Sequence, residues 1–200
     1  PADNMAKTFN LMRGNDLIWH YVVNNWMKGE QPPAFDLLTW NADSTRMPAV
    51  MHAFYLRSCY LKNQLAKGVM EIAGETLNMK SVDQDLYFLA AEQDHIAPWR
   101  SSYKGALIPT GNVRFVLSNS GHIAGIVNPP NPKSKHWAAD LDELPENPDE
   151  WLASATMKPI TWWEDWATWI SERAGAKITP PPLGGDTHPP LEDAPGSYVF

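Results

Sequence analysis

Apolar positions along the chain change their period twice. Up to about residue 75 they recur at helical spacing. "NDLIWHYVVNNWMKG" opens at Asn15 or Asp16, either a suitable N-cap, and stops at Gly29. "MPAVMHAFYLRSCYLKNQLAKG" predicts a second helix, with Met51, Phe54, Tyr55, Cys59 and Leu61 along its apolar stripe and Gly68 as its stop. The connector between them, "EQPPAFDLLTWNADSTR", is longer and more aromatic than a plain linker requires.

From residue 76 the period shortens. "DLYFLAA" and "VRFVL" are brief runs of β-branched and aromatic residues, the pattern of buried strands. Between them "PWRSSYKGAL" starts with Pro98, a residue tolerated in a first helical turn. Strand, helix, strand in that order predicts a parallel α/β sheet.

Helical spacing returns in "TWWEDWATWISERAG", where Thr161 and Glu164 suit a capping box and Gly175 the C′ position. Trp162, Trp166 and Trp169 share a face expected to pack on the sheet, while Glu164, Asp165 and Glu172 on the other side argue against insertion into anionic lipid. The tail, "TPPPLGGDTHPPLEDAPGSYVF", is too rich in Pro and Gly for regular structure and is expected to lie extended over the surface. The organisation is therefore a helical region over 1–75, an α/β region over 76–178 and a tail over 179–200, with no internal repeat.

Composition narrows the function classes. With 200 residues, 44% of them apolar, the chain has enough material for one core with a small appended subdomain. A net charge of −7 without a basic cluster speaks against nucleic acid as a partner. The single cysteine, Cys59, excludes an intrachain disulfide and a Cys-based zinc site, which fits a reducing cytosol. No stretch approaches the roughly 18 apolar residues that span a bilayer, and "PADNMAKTFN" lacks a signal-peptide layout.

Candidate chemistry lies at the strand ends. Asp94 in "LYFLAAEQDHIAPW" follows the first predicted strand, and His122 in "SNSGHIAGIVNPP" follows the next, between Gly121 and Gly125. An acid and then a histidine after consecutive strands is the order of the last two members of an α/β-hydrolase triad, in which the carboxylate orients the imidazole and the imidazole takes a proton from the nucleophile. The plainer readings are that Asp94 caps the helix near Pro98 and that His122 is an ordinary loop residue. The coincidence of the two at consecutive strand ends favours catalysis.

The nucleophile is not in sight. No G-x-S-x-G or G-x-C-x-G elbow occurs, Cys59 reads as a small buried apolar residue inside a helix, and Ser118 and Ser120 are too close to His122 in sequence. The acidic run "DLDELPENPDE" reads as a solvated turn. His20, His52, His136 and His188 show no metal-ligand spacing, and no metal or other cofactor is implied. Lys133 and Lys135 are placed to meet a phosphate-bearing substrate, although solubility alone would account for them.

Taken together, "NDLIWHYVVNNWMKGEQPPAFDLLTWNADSTRMP", "YFLAAEQDHIAPW", "VRFVLSNSGHIAGIVNPP", "WWEDWATWI" and "APGSYV" resemble the C-terminal part of class I polyhydroxyalkanoate synthases over nearly all of the chain. The resemblance implies an α/β-hydrolase fold, with residues 1–75 as a mostly helical cap and 76–178 as the C-terminal part of the core sheet. It implies a cytosolic acyltransferase that polymerises 3-hydroxyacyl-CoA into a polyester at the granule surface, works as a homodimer and releases coenzyme A. Asp94 and His122 align with the catalytic pair; Trp40, in the cap, and His95 align with substrate-lining positions. The family's cysteine elbow lies upstream of anything present here, so the resemblance implies a fragment that lacks its nucleophile and early strands, with an unpaired edge at "DLYFLAA", poor stability and no activity alone. Two other readings stay open at this point: a serine esterase of the same fold, and a noncatalytic protein that binds granules or a full-length synthase through its tryptophan-rich surface.

Overall fold

The structure is a computed structural model that describes residues 7, 11, 12, 14–31, 47–193 and 196–199. Two compact units are distinguished, one formed by Pro1–Pro48 with Thr179–Phe200, the other by Ala49–Ile178.

In the first unit the predicted helix before Gly29 is present but wound wide, in π-helical turns at Asn15–Trp19 and Val22–Met27 closed by bonds such as Lys28 N–H to Val23 O. Asn15 is not its cap. Gly14, at the cap position, is itself helical and caps with no side chain. Gly29 does stop it, at φ +73°. The described tail residues 179–193 are exposed throughout, with one isolated bridge between Gly185 and His188.

The second unit begins with helix α1 (Ala49–Tyr55), which continues as π-helical turns over Leu56–Leu61. The helix stops at Lys62 and at Asn63, which is left-handed at φ 49°, rather than at Gly68. Its expected apolar stripe is open: Met51 is 57% and Leu61 77% exposed, and Cys59 is half-buried rather than enclosed. A hairpin that the helical reading missed follows, β1 (Met70–Ile72) against β2 (Glu75–Leu77), turned by Ala73 and Gly74, both at positive φ.

The main sheet has four strands: β3 (Leu86–Ala91), β4 (Val113–Ser118), β5 (His136–Ala138) and β6 (Thr156–Lys158), in that spatial order. Strands β3 and β4 are parallel, as predicted, and joined through helix α2 (Trp99–Ala106), which starts directly after Pro98. Strands β5 and β6 are antiparallel additions, so the sheet is mixed. Helix α3 (Ala124–Val127) follows β4, and α4 (Pro148–Ser154) separates β5 from β6. The acidic run is thus not all solvated turn. Its end forms the start of α4, where Asn147 Oδ1 accepts the Asp149 N–H and Asp149 pairs with Arg100 at 2.6 Å.

One sheet face packs Ala90, Phe115 and Leu117 against Trp99, Tyr103 and Trp151, with the Phe115 and Trp151 rings edge to face at 4.8 Å. The other carries helix α5 (Trp162–Ser171), with Trp162 packed beside Val116 and Ala138. Thr161 caps α5 as expected, through Oγ1 accepting the Trp163 N–H, but among the described residues Glu164 gives no return bond to complete a capping box. Gly175 has the expected positive φ, yet lies beyond the C′ position of a helix that ends at Ser171.

Candidate active site

Because β3 and β4 run parallel side by side, with Ala91 opposite Ser118, both chains leave the sheet at the same edge. The two exits are tied together: Glu92 N–H donates to Ser118 O at 2.9 Å and Gln93 N–H to Ser120 O at 3.0 Å. Asp94 and His122 come one and two residues beyond these ties.

The Asp94 carboxylate is divided between two tasks. Its Oδ1 accepts the backbone N–H groups of Ile96, at 2.9 Å, and Ala97, at 2.8 Å, which fixes the turn ahead of Pro98. Its Oδ2 faces His122 Nδ1 at 2.8 Å. The plainer reading of Asp94 as the cap of α2 is not what is found, since Pro98 occupies that cap without a side-chain bond. Burial pushes the Asp94 carboxyl up, but the Ala97 N–H, the His122 ring and the Ile96 N–H together outweigh it and hold the group below its ordinary value. A carboxylate only accepts, so Nδ1 carries the hydrogen and, in the neutral imidazole, Nε2 has the lone pair, on a side chain 41% exposed. That is an oriented base with an open face.

Glycine shapes the histidine loop. A Cβ on Gly125 would stand 2.5 Å from Ala91 Cβ and 3.1 Å from Asn119 O, so only glycine lets α3 close on the end of β3. The Ser118 hydroxyl, 2% exposed, lies 2.6 Å from Gly125 O and spans the loop that carries His122.

Among the described residues no hydroxyl or thiol bonds to His122. Ser118 is engaged with Gly125, Ser120 sits at φ 82° with its carbonyl tied to Gln93, and Cys59 belongs to the π-helical turns after α1. His95 is exposed in the turn after Asp94, and Trp40 lies outside the described residues. Lys133 and Lys135 border a cavity beside the histidine loop.

A second polar cluster was missed by the sequence reading. Asp165, assigned there to the solvent side of α5, points at the sheet: Arg114 on β4 grips it with Nε at 2.7 Å and Nη2 at 2.6 Å, and Tyr87 donates its hydroxyl at 3.0 Å. His136 Nε2 and Lys158 Nζ stand 3.7 Å from the same carboxylate. Burial pushes Asp165 up, but Arg114 and the other donors hold it far below the ordinary carboxylate range. The packing face of α5 is therefore Trp162, Asp165 and Trp169; Trp166 is 37% exposed. The available signal was Arg114 itself, a charge inside the apolar run "VRFVL" that demands a partner.

Among the described residues no group of three or more His, Cys, Asp or Glu side chains is placed to hold a metal ion, and no helix is long and apolar enough to cross a membrane.

No protein-family model matches the chain. Curated proteins do. The poly(3-hydroxyalkanoate) polymerase of Methylorubrum extorquens is 47% identical over 195 residues, 98% of this chain and 32% of that protein. The poly(3-hydroxyalkanoate) polymerase subunit PhaC of Cupriavidus necator is 42% identical over 198 residues, 98% of this chain and 33% of the relative. The poly(3-hydroxyalkanoate) polymerase 2 of Ectopseudomonas oleovorans is 44% identical over 198 residues and 35% of its length. The chain spans about a third of the curated relatives it matches. Over nearly its whole length, then, the chain is similar to about a third of several proteins named poly(3-hydroxyalkanoate) polymerase, at 42–47% identity.

Proposed function

We propose that this chain supplies the acid–base pair of a polyhydroxyalkanoate polymerase built on an α/β-hydrolase core, and that it corresponds to the C-terminal part of that enzyme. Residues 1–75 serve as the cap, 76–178 as the end of the core and 179–200 as the tail. One observation carries the reading: His122 Nδ1 meets Asp94 Oδ2 at 2.8 Å, at the shared edge of two parallel strands, with Asp94 braced by two backbone N–H groups. The relatives' names favour polymerisation over simple ester hydrolysis.

In this reading His122 Nε2 takes the proton of a cysteine thiol outside this chain, and the thiolate attacks the thioester carbonyl of a 3-hydroxyacyl-CoA. The carbon–sulfur bond to coenzyme A breaks, its thiolate leaves with the proton held by His122, and an acyl-enzyme remains. The pair next removes the proton of a 3-hydroxyl, whose oxygen attacks an acyl-enzyme carbonyl; the carbon–sulfur bond to the enzyme's cysteine breaks, the cysteine thiolate leaves with the proton held by His122, and the polyester is longer by one ester bond. Asp94 keeps the imidazole in its working tautomer and stabilises its charged form. His95, exposed in the turn after Asp94, lines the substrate path. The working enzyme is a cytoplasmic homodimer at the granule surface, in contact with its growing polyester.

The test is product analysis. The natural-length protein given 3-hydroxybutyryl-CoA is expected to release coenzyme A with formation of insoluble polyester. Release with only free 3-hydroxy acid would make it a hydrolase and sink the polymerase reading.

A further inference from the structure

Beside the histidine loop lies a cavity of about 210 Å³ whose walls include Ser120 and Gly125 on one side and Lys133, Ser134, Lys135 and Thr161 on the other. Its chemistry is one-sided. No Asp or Glu lines it, in a chain that carries 23 of them and a net charge of −7. Lys133 and Lys135 both reach it, and among the described residues neither ammonium has a carboxylate within 4.0 Å; Lys135 instead lies 5.0 Å from the Trp137 ring centroid. The loop bearing the two lysines is held in place, since Asn119 accepts the Lys135 N–H at 3.0 Å and donates to Lys133 O at 3.1 Å. Thr161, 5% exposed, accepts the Trp163 N–H, and its own hydroxyl hydrogen has no acceptor among the described residues. The cavity under α5 near Arg114 is the contrast, lined by Asp140, Glu164, Asp165 and Glu172.

Two cations, a buried hydroxyl donor and no carboxylate suit an anion with several acceptor oxygens. We propose that this cavity is a phosphate site and that, resting on the polymerase reading above, it seats a phosphate of the coenzyme A carried by the thioester. Lys133 and Lys135 hold the phosphate oxygens and thereby present the thioester end to His122. The lysines touch no reacting atom, so they set affinity for the coenzyme rather than the rate of acyl transfer.

The experiment uses the natural-length enzyme, its Lys133→Ala/Lys135→Ala variant and the corresponding double arginine variant. They are compared on 3-hydroxybutyryl-CoA and on the N-acetylcysteamine thioester, which lacks phosphate. The alanine variant is expected to lose roughly ten-fold or more in kcat/KM on the CoA substrate, through KM, the scale of a lost charge-assisted hydrogen bond. It is expected to match the parent on the phosphate-free substrate, and the arginine variant to retain most of the parent's preference. Equal losses on both substrates, or none on either, would overturn the site.

A binding arm separates the site from the reading beneath it. Adenosine 3′,5′-bisphosphate titrated by calorimetry is expected to bind the parent and to lose a similar factor in the alanine variant, whether or not turnover occurs. Binding without turnover would remove the polymerase reading and keep the phosphate site. Inorganic phosphate binding as tightly as the nucleotide would overturn the coenzyme assignment, and equal nucleotide affinity in parent and variant would overturn the site itself.

Discussion

The two oxygens of Asp94 make its substitutions separable. In Asp94→Asn the amide oxygen still accepts the Ile96 and Ala97 N–H groups, but an N–H now faces His122 Nδ1 and forces the hydrogen onto Nε2. The base is lost while the turn survives. In the natural-length enzyme kcat is expected to fall roughly 10,000-fold, the cost of the same exchange in the serine-protease triad, with an unchanged melting temperature. Asp94→Ala also unties the turn and is expected to cost about 1 kcal/mol of stability besides, on the scale of a lost capping side chain. Gly125→Ala acts through packing, because the new methyl meets Ala91 Cβ at 2.5 Å. It is expected to destabilise the fold by about 1–3 kcal/mol, read from denaturant melts. Asp94 and His122 were legible in sequence because each follows a short apolar strand. The double use of Asp94 was not, because the turn at 95–97 has no periodicity to read. Cys59 was misread as enclosed because neighbours at helical spacing do not say whether a partner covers them.

At the scale of elements, α5 is fastened to the sheet by aromatic packing at Trp162 and Trp169 and by the polar cluster around Asp165. Trp162→Ala empties a buried position beside Val116 and Ala138 and is expected to cost about 3–5 kcal/mol. Trp166→Ala, on the more exposed face, is expected to cost far less; equal losses would mean that the helix packs differently.

The Arg114–Asp165 pair adds a pH dependence whose sign follows from the depressed carboxyl of Asp165. Unfolded, that carboxyl titrates near 3.9; folded, it stays ionised to lower pH. Its stabilising contribution is therefore complete above that value and is lost as pH falls from about 4 toward the folded value. Asp165→Asn strands a guanidinium that keeps one side on Asp140, and is expected to cost about 3 kcal/mol at pH 7, the low end for a buried pair. The double change Arg114→Met/Asp165→Leu is expected to be near neutral at pH 7 and to flatten the loss of stability between pH 4 and pH 2, read from acid melts. A parent stability that does not decline over that interval would contradict the assignment.

The parallel unit of β3, α2 and β4 could be read from sequence because its strands hold six residues each with a marked period. Strands β5 and β6 could not, since "HWA" and "TMK" are three residues long and gain their character only from the neighbours they pair with. The hairpin of β1 and β2 escaped because Ala73 and Gly74 form a two-residue turn without the Asn-Gly or Asp-Gly pair that usually announces one.

For the whole molecule, β3 ends the sheet with β4 as its one partner among the described residues. An edge of Leu86, Tyr87, Phe88 and Leu89 offers unpaired backbone groups and apolar side chains to another strand. The isolated 200-residue chain is expected to aggregate at micromolar concentration and to release no coenzyme A, with light scattering and a thiol assay as the measurements. A monomeric and active chain would contradict both the edge argument and the need for a nucleophile from elsewhere. The α/β architecture was thus readable from hydrophobic period, though not its antiparallel strands, and the closeness of Asp94 and His122 from their positions along it. The ionic fastening of α5 was not, because it is assembled from residues far apart in sequence, and of the cavity beside the histidine loop only Lys133 and Lys135 stood out before their neighbours were placed.

The most direct measurement is coenzyme A release from 3-hydroxybutyryl-CoA by the natural-length protein and by its His122→Ala variant, with folding of both checked by circular dichroism. Steady release by the parent is expected, with a loss of at least roughly 1,000-fold in the folded variant, as for removal of a triad base. A folded His122→Ala protein that releases coenzyme A at the parental rate would show that the pair at the edge of β3 and β4 is not the catalytic one.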